Sequence, residues 1–248
     1  MAPAFYGRIV FGTSAVLFGV VGFLWHGSDM WQLLRPLWGP LGTFVAWCLS
    51  LAQLGGGLAV LSSGTARPGS IVLGVVFALF CLAGIPAIVA APTVYVGYGN
   101  FFEHFCVVCG ALAVYASTEM NPSKAAVLTR AARLGLGFCA VSFTLAQVVY
   151  LQFTASLVPA WIPPNQTFWA IVTTVAFALA ALAILINVRA RPAMRLMALM
   201  IALFGLLVWV PHVVAQPGAL ANWSELAINY LIAGASWVVS ELNPPRTA

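Results

Sequence analysis

Apolar residues in this chain run on in long unbroken stretches separated by short polar connections. Eight such stretches lie near 8–25, 40–62, 69–91, 101–118, 131–151, 166–188, 193–214 and 223–240. Each is long enough to cross a hydrocarbon core about 30 Å thick, which needs about 20 residues of helix. A membrane barrel is excluded, because its strands alternate apolar and polar at every second residue. The pattern predicts an all-α polytopic membrane protein with eight transmembrane helices. The first stretch is too long for a removable signal and lacks a small-x-small cleavage site, so it is read as the first membrane helix.

The pattern also repeats. Asn100, Glu103, Glu119, Asn121 and Pro122 return at a constant offset of 122 as Asn222, Glu225, Glu241, Asn243 and Pro244. Upstream, Pro36, Trp38 and Pro40 return as Pro159, Trp161 and Pro163, and Ala66-Arg67-Pro68 returns as Ala190-Arg191-Pro192. A half of about 120 residues has been duplicated, giving units 1–124 and 125–248. Four helices per half insert both halves in the same direction, so a parallel repeat about an axis along the membrane normal is expected. Ala78-Leu79-Phe80 matches Ala202-Leu203-Phe204 at an offset of 124, but Pro86 matches Pro211 at 125. One residue inserted inside a helix is absorbed by a π-bulge, expected here just before Pro211.

Composition agrees with the pattern: 62% of residues are hydrophobic and 6% charged, values of a membrane protein. Charge adds direction. Arg8, Arg67, Lys124, Arg130, Arg133, Arg189, Arg191, Arg195 and Arg246 fall at the chain ends or in even-numbered connections, and Arg35 alone falls in an odd-numbered one. The positive-inside rule then puts both termini in the cytoplasm and the protein in the plasma (inner) membrane. The net charge of +5 reads as contact with anionic headgroups of membrane lipids. Nucleic acid is not an expected partner, because the basic residues are dispersed over short loops.

Few residues could carry chemistry. Glu103 and Glu225 occupy equivalent places at the external start of the fourth and eighth stretches. One reading makes them a carboxylate pair facing an outer cavity, able to bind a proton, a cation or a polar headgroup. The other, preferred from the residues alone, makes Asn100 and Asn222 helix caps with the glutamates reaching back in capping boxes. His26, His104 and His212 all fall on the external side, where they could bind a metal or haem or relay protons. No pair has ligand spacing on one helix, so ordinary interfacial histidines are preferred and no metal site is assigned. Cys106 and Cys109 form a Cys-x-x-Cys one turn into the fourth stretch and are redox candidates, although a regular helix holds them farther apart than a relaxed disulfide requires. Cys48, Cys81 and Cys139 read as solitary small hydrophobes. Gln147 and Asn229 are further polar groups near the outer face, Asn229 one turn from Glu225. Trp25 and Trp161 belong to an external set of tryptophans that forms an aromatic belt or, alternatively, a stacking wall for a quinone or other planar lipid-soluble ligand.

A leading Arg, then Pro159-Ala160-Trp161-Ile162-Pro163, then Phe168-Trp169 and the Glu103 and Glu225 segments, together resemble the DoxX-like membrane proteins in a duplicated form. The resemblance implies a four-helix unit associated with quinone or thiol redox chemistry, and transfers no catalytic residue set. Three functions are therefore expected in order. The first is a redox-associated protein holding a quinone-like ligand in an external pocket near Trp25, His26, Glu103, His104, Gln147, Trp161, His212, Glu225 and Asn229, with haem or metal ranked below quinone as cofactor. The second is a non-enzymatic accessory or scaffold subunit with membrane protein partners, and the third a transporter of a small solute. The residues leave open whether the protein is an enzyme.

Overall fold

Backbone amides that cannot reach water must bond within their own segment, which in a chain of this kind means helix. The computed structural model describes residues 5–27, 39 and 41–243, and no strand occurs among them. In chain order the helices are α1 (Phe5–Leu24), α2 (Gly42–Leu61), α3 (Ala66–Ala90), α4 (Val96–Ser117), α5 (Pro122–Val149) and the short α6 (Leu151–Leu157). They continue with α7 (Gln166–Leu185), α8 (Ala190–Phe204), a π-helical turn (Gly205–Trp209), α9 (Val210–Ala215) and α10 (Leu220–Leu242). The Trp- and Pro-rich connection at 31–38, Arg35, Pro40 and Arg246 lie outside the described residues. Asn121 caps α5 by accepting from the amides of Ser123 and Lys124, and Asn165 caps α7 by accepting from Phe168.

Seven spans are long and apolar enough to cross a membrane: α1 to α5, α7, and α8 through α9 taken as Ala190–Ala215. The expected eighth stretch is helical but does not reach the same hydropathy, because α10 carries Asn222, Trp223, Ser224, Glu225, Asn229 and Glu241. Its surroundings explain this. α10 packs against α1, α4 and α8, and residues 231–236 and 238–240 are buried without a break. A helix coated by other helices has no need of a lipid-soluble surface. The outer helices do the reverse and turn large apolar side chains outward, among them Val75, Leu79, Leu82 and Val89 on α3 and Ile171, Val175, Leu179 and Leu182 on α7.

Each long helix packs on its neighbours in the chain, α10 closes back onto α1, and α4 and α10 also pack on each other across the ring. Small residues set these approaches. A side chain at Gly12 would meet Leu61 at 2.7 Å, and one at Gly137 would meet Leu185 at 2.6 Å. α1 therefore sits against the end of α2 as α5 sits against the end of α7. The π turn falls where the one-residue slip in the repeat called for it, ahead of Pro211. Proline lacks an N–H and crowds the carbonyl four residues back, so the wider turn accommodates it.

At the end of the bundle where α4 and α10 finish, two similar clamps tie helices together. Arg67 at the start of α3 bonds Tyr115 Oη at 2.7 Å and Glu119 at 3.3 Å, with its guanidinium 4.7 Å from the Tyr115 ring centre. Arg195 on α8 lies 5.3 Å from the Trp237 ring, and Glu241 accepts from Trp237 Nε1 at 3.2 Å and from the Gly7 amide at 3.4 Å. The amide of Asn121, then Arg67 and Lys124, hold the Glu119 carboxyl below its ordinary value of 4.5. A carboxylate lowered in the folded state adds stability above its unfolded pKa and loses it as pH falls through the folded one. Thermal unfolding of the wild type should therefore worsen below about pH 4.5, and Glu119→Gln should lose that part of the acid sensitivity. Identical pH slopes for the two proteins would remove Glu119 from the account.

Candidate functional site

The central crossing of α4 and α10 is built on Gly110. A Cβ there would stand 2.5 Å from Ala235 Cβ, 2.8 Å from Ala235 Cα and 2.9 Å from the Phe11 ring. Seven residues are two helical turns, which return to nearly the same face. Glu103 therefore shares the face of Gly110, and Glu225 the face of Ile232 on the facing helix. The two carboxylates lie within electrostatic reach of each other. Around the crossing the helices are sealed: Cys106, Val107, Ala111, Ala113 and Val114 on α4 and Leu231 to Ser236 on α10 are buried. Two turns away the packing loosens, and Phe101, Phe102, Glu103, Glu225, Asn229 and Tyr230 keep part of their surface. Glu103 is at once partly accessible and deep among protein atoms. A partly accessible patch, termed the α4–α10 cleft, therefore borders Glu103 and Glu225.

The capping reading of the glutamates is overturned. α4 starts at Val96, not near 101, and α10 at Leu220, not near 223. The N-cap positions are Tyr95 and Ala219, and neither makes a side-chain capping bond. Asn100 lies inside α4, where its carbonyl contacts His104 Nδ1 at 2.7 Å. Asn222 instead donates through Nδ2 to the His212 carbonyl at 3.1 Å, tying α10 to α9. The sequence pattern misled because Val96 to Gly99 and Leu220 to Ala221 read as connection, whereas both segments are helical.

His104 is the most informative neighbour. Its ring is 6% exposed and packs between Phe77 and Phe80 of α3, with centroid distances of 5.9 and 5.5 Å. A carbonyl can only accept, so Nδ1 carries the proton toward Asn100 and a neutral ring presents Nε2 as an acceptor. Nε2 is buried with no hydrogen-bond partner, and so is the hydroxyl of Ser224, next to Glu225. Each glutamate is thus flanked in sequence by a buried polar atom that the protein leaves unbonded. Buried polar groups of this kind call for water or a ligand. Ser224, Phe77 and Phe80 were not legible as site residues from the sequence. The only available signal was the adjacency of Ser224 to a glutamate repeated at a fixed offset.

The other expected site residues divide. Asn229 stays with the cleft, donating to the Glu225 carbonyl at 2.8 Å. His212 is exposed and its Nδ1 sits 2.7 Å from the Val208 carbonyl in the π turn; it reaches the cleft only through Asn222. The His26 ring lies tilted 5.4 Å from that of Trp47 of α2, and the Trp25 amide continues α1 by donating to the Val21 carbonyl. Trp161 is 74% exposed in the α6–α7 connection. Gln147 turns to α7, where its Oε1 accepts from Thr173 at 3.2 Å and Thr174 at 2.9 Å. Both threonines also bond the Ala170 carbonyl, so Gln147→Leu would strand no donor. An interhelical bond of this kind is worth about 0.6 kcal/mol in membranes. A small drop in melting temperature with unchanged ligand retention is expected. Lost retention would return Gln147 to the site.

Cys106 and Cys109 are buried free thiols. Cys139 and Cys81 are not solitary as expected: the Cys139 thiol meets both Cys106 and Cys109, and Cys81 lies near Cys109. Helices α3, α4 and α5 bring these together, which no spacing along the chain reveals. Among the described residues no group of three or more His, Cys, Asp or Glu side chains is arranged to hold a metal ion. No protein-family model, curated protein or solved structure matches this chain.

Proposed function

We propose that this is an eight-helix membrane protein of two parallel four-helix repeats, DoxX-like, which binds a quinone-like lipid-soluble ligand in the cleft between α4 and α10 and takes part in redox chemistry. The repeat reading is supported by the matched seats of Leu61 at Gly12 and Leu185 at Gly137, and by the two aromatic-and-glutamate clamps. The basic residues gather at the helix ends opposite Glu103 and Glu225, which supports a cytoplasmic arginine side and an external cleft.

One observation carries the ligand reading. Two carboxylates lie within electrostatic reach of each other inside helices rather than at caps, beside an imidazole whose Nε2 is buried and unbonded. Carboxyls that feel each other's charge among protein atoms are accommodated by a proton, a cation or a donor-bearing ligand. Phe77 and Phe80 offer flat apolar contact to a ring; a protonated Glu103 or Glu225 can donate to a quinone oxygen, and His104 Nε2 can accept from a hydroxyl of the hydroquinone form. A pocket with apolar walls and a few converging polar groups suits a small amphipathic ligand. Transport ranks last, because Gly110, Ala111, Ala113 and Ala235 close the crossing below the cleft by close apolar packing.

Gentle purification followed by solvent extraction and mass spectrometry tests the reading. A quinone retained near one per chain supports it. A protein that is empty, and remains empty after incubation with decylubiquinone, overturns it in favour of an accessory subunit, to be sought through co-purifying partners.

A further inference from the structure

The thiol cluster has a geometry of its own. A Cβ built on Gly135 would lie 2.4 Å from Cys109 Sγ, so that thiol occupies the space a side chain on α5 would have filled. α4 and α5 are consecutive, antiparallel and packed together. Three residues back along α4 from Cys109 is Cys106, and four residues on along α5 from Gly135 is Cys139. Both steps are about one turn in the same direction, so Cys106 and Cys139 come level with each other across the interface. The Cys139 thiol is in contact with Cys106 and Cys109, and all three are 3% exposed or less. Packing alone does not require sulfur here. In the second half the equivalents of Cys106 and Cys109 are Ile228 and Leu231, and the register of Gly12 with Gly137 puts Ser14 in the place of Cys139.

We propose that Cys106 and Cys139 form a redox-active dithiol that closes to an inter-helix disulfide between α4 and α5 by reducing a quinone bound in the cleft. The proposal rests on the ligand reading above. In the step, both S–H bonds break and one S–S bond forms. The two electrons and two protons pass to the quinone, which leaves as hydroquinone. Glu103 lies about one turn from Cys106 on the same helix and stands between the thiols and the cleft as proton carrier. Cys109 is the third thiol, placed to attack Cys139, which moves the bond to a Cys109–Cys139 disulfide and frees Cys106.

The test uses the full chain, reduced and desalted in detergent, with decylubiquinone as the probe. Two quantities are read on the same sample: quinone retained after gel filtration, and free thiols counted under denaturing conditions with a PEG-maleimide. The reduced protein carries five cysteines. The expected result is loss of two of them, one hydroquinone formed per chain, and a linked peptide pair containing residues 106 and 139. Cys139→Ser, which carries the residue found in the other half, should keep all its remaining thiols. Quinone retained with five thiols still free overturns the dithiol and leaves the ligand site standing. Thiols lost in a protein that retains no quinone supports the dithiol and overturns the site. Five free thiols with no quinone retained overturns both.

Discussion

Gly110→Leu should lower the stability of the protein by about 3 kcal/mol, the upper part of the usual cost of overpacking. At Gly110 the contact is with the partner helix itself: Ala235 Cβ and Cα stand 2.5 and 2.8 Å from the position of a new Cβ, and Phe11 closes the third side. Only the Phe11 ring could rotate away. Ala235 can move only if α10 moves, and α10 is packed on α1, α4 and α8. The strain therefore spreads through the central pair instead of being relieved locally. Because Glu103 rides on the same face two turns away, separation at the crossing should also widen the cleft and weaken retention of the probe quinone. Thermal unfolding in detergent, with decylubiquinone retention on the same preparation, checks both. A variant that melts within a degree of the wild type would mean that α4 and α10 do not meet at Gly110.

Glu103→Leu and Glu225→Leu should each weaken retention of decylubiquinone by up to about tenfold, without lowering the melting temperature. A quinone oxygen only accepts, so each contact needs a protonated carboxyl as donor; such a bond is worth about 0.5–1.5 kcal/mol, and about 1.4 kcal/mol is tenfold in affinity. Neither glutamate caps its helix, so the substitution should not unravel a helix start, for which a loss of about 1 kcal/mol would be expected. The double variant should be less than additive in its loss, because the two groups act on one ligand. Stability lost with retention intact would restore the structural role the sequence pattern suggested. Retention and stability both unchanged would take the glutamates out of the site.

The chain's own pattern determined a good deal. Seven of the eight apolar stretches correspond to long apolar helices, because in lipid an apolar run of that length has helix as its available structure. α4 and α5 nevertheless start at Val96 and Pro122, ahead of the expected 101 and 131. The slip of one residue before Pro211 placed the π turn, since an inserted residue in a helix must be absorbed locally. Those are properties of segments, and segments are written in sequence. Which faces of those segments meet is not. Outer and inner faces of a membrane helix are both apolar, so hydropathy does not separate Leu79, which faces outward, from Phe77, which lies against His104. The glutamates looked like caps because polar residues near a helix start usually are, and only the extra turns at Val96 and Leu220 carried them inside. Gln147 looked like a site residue until two threonines of α7 took its oxygen. Cys139 looked solitary until Gly135, one turn away on α5, drew α4 close enough for its thiols to gather. The sequence thus marked most of the membrane-length helices and the place of the π turn. The close approaches of Gly110 and Gly135 decided which side chains share a space, since contact between distant residues depends on how whole helices pack.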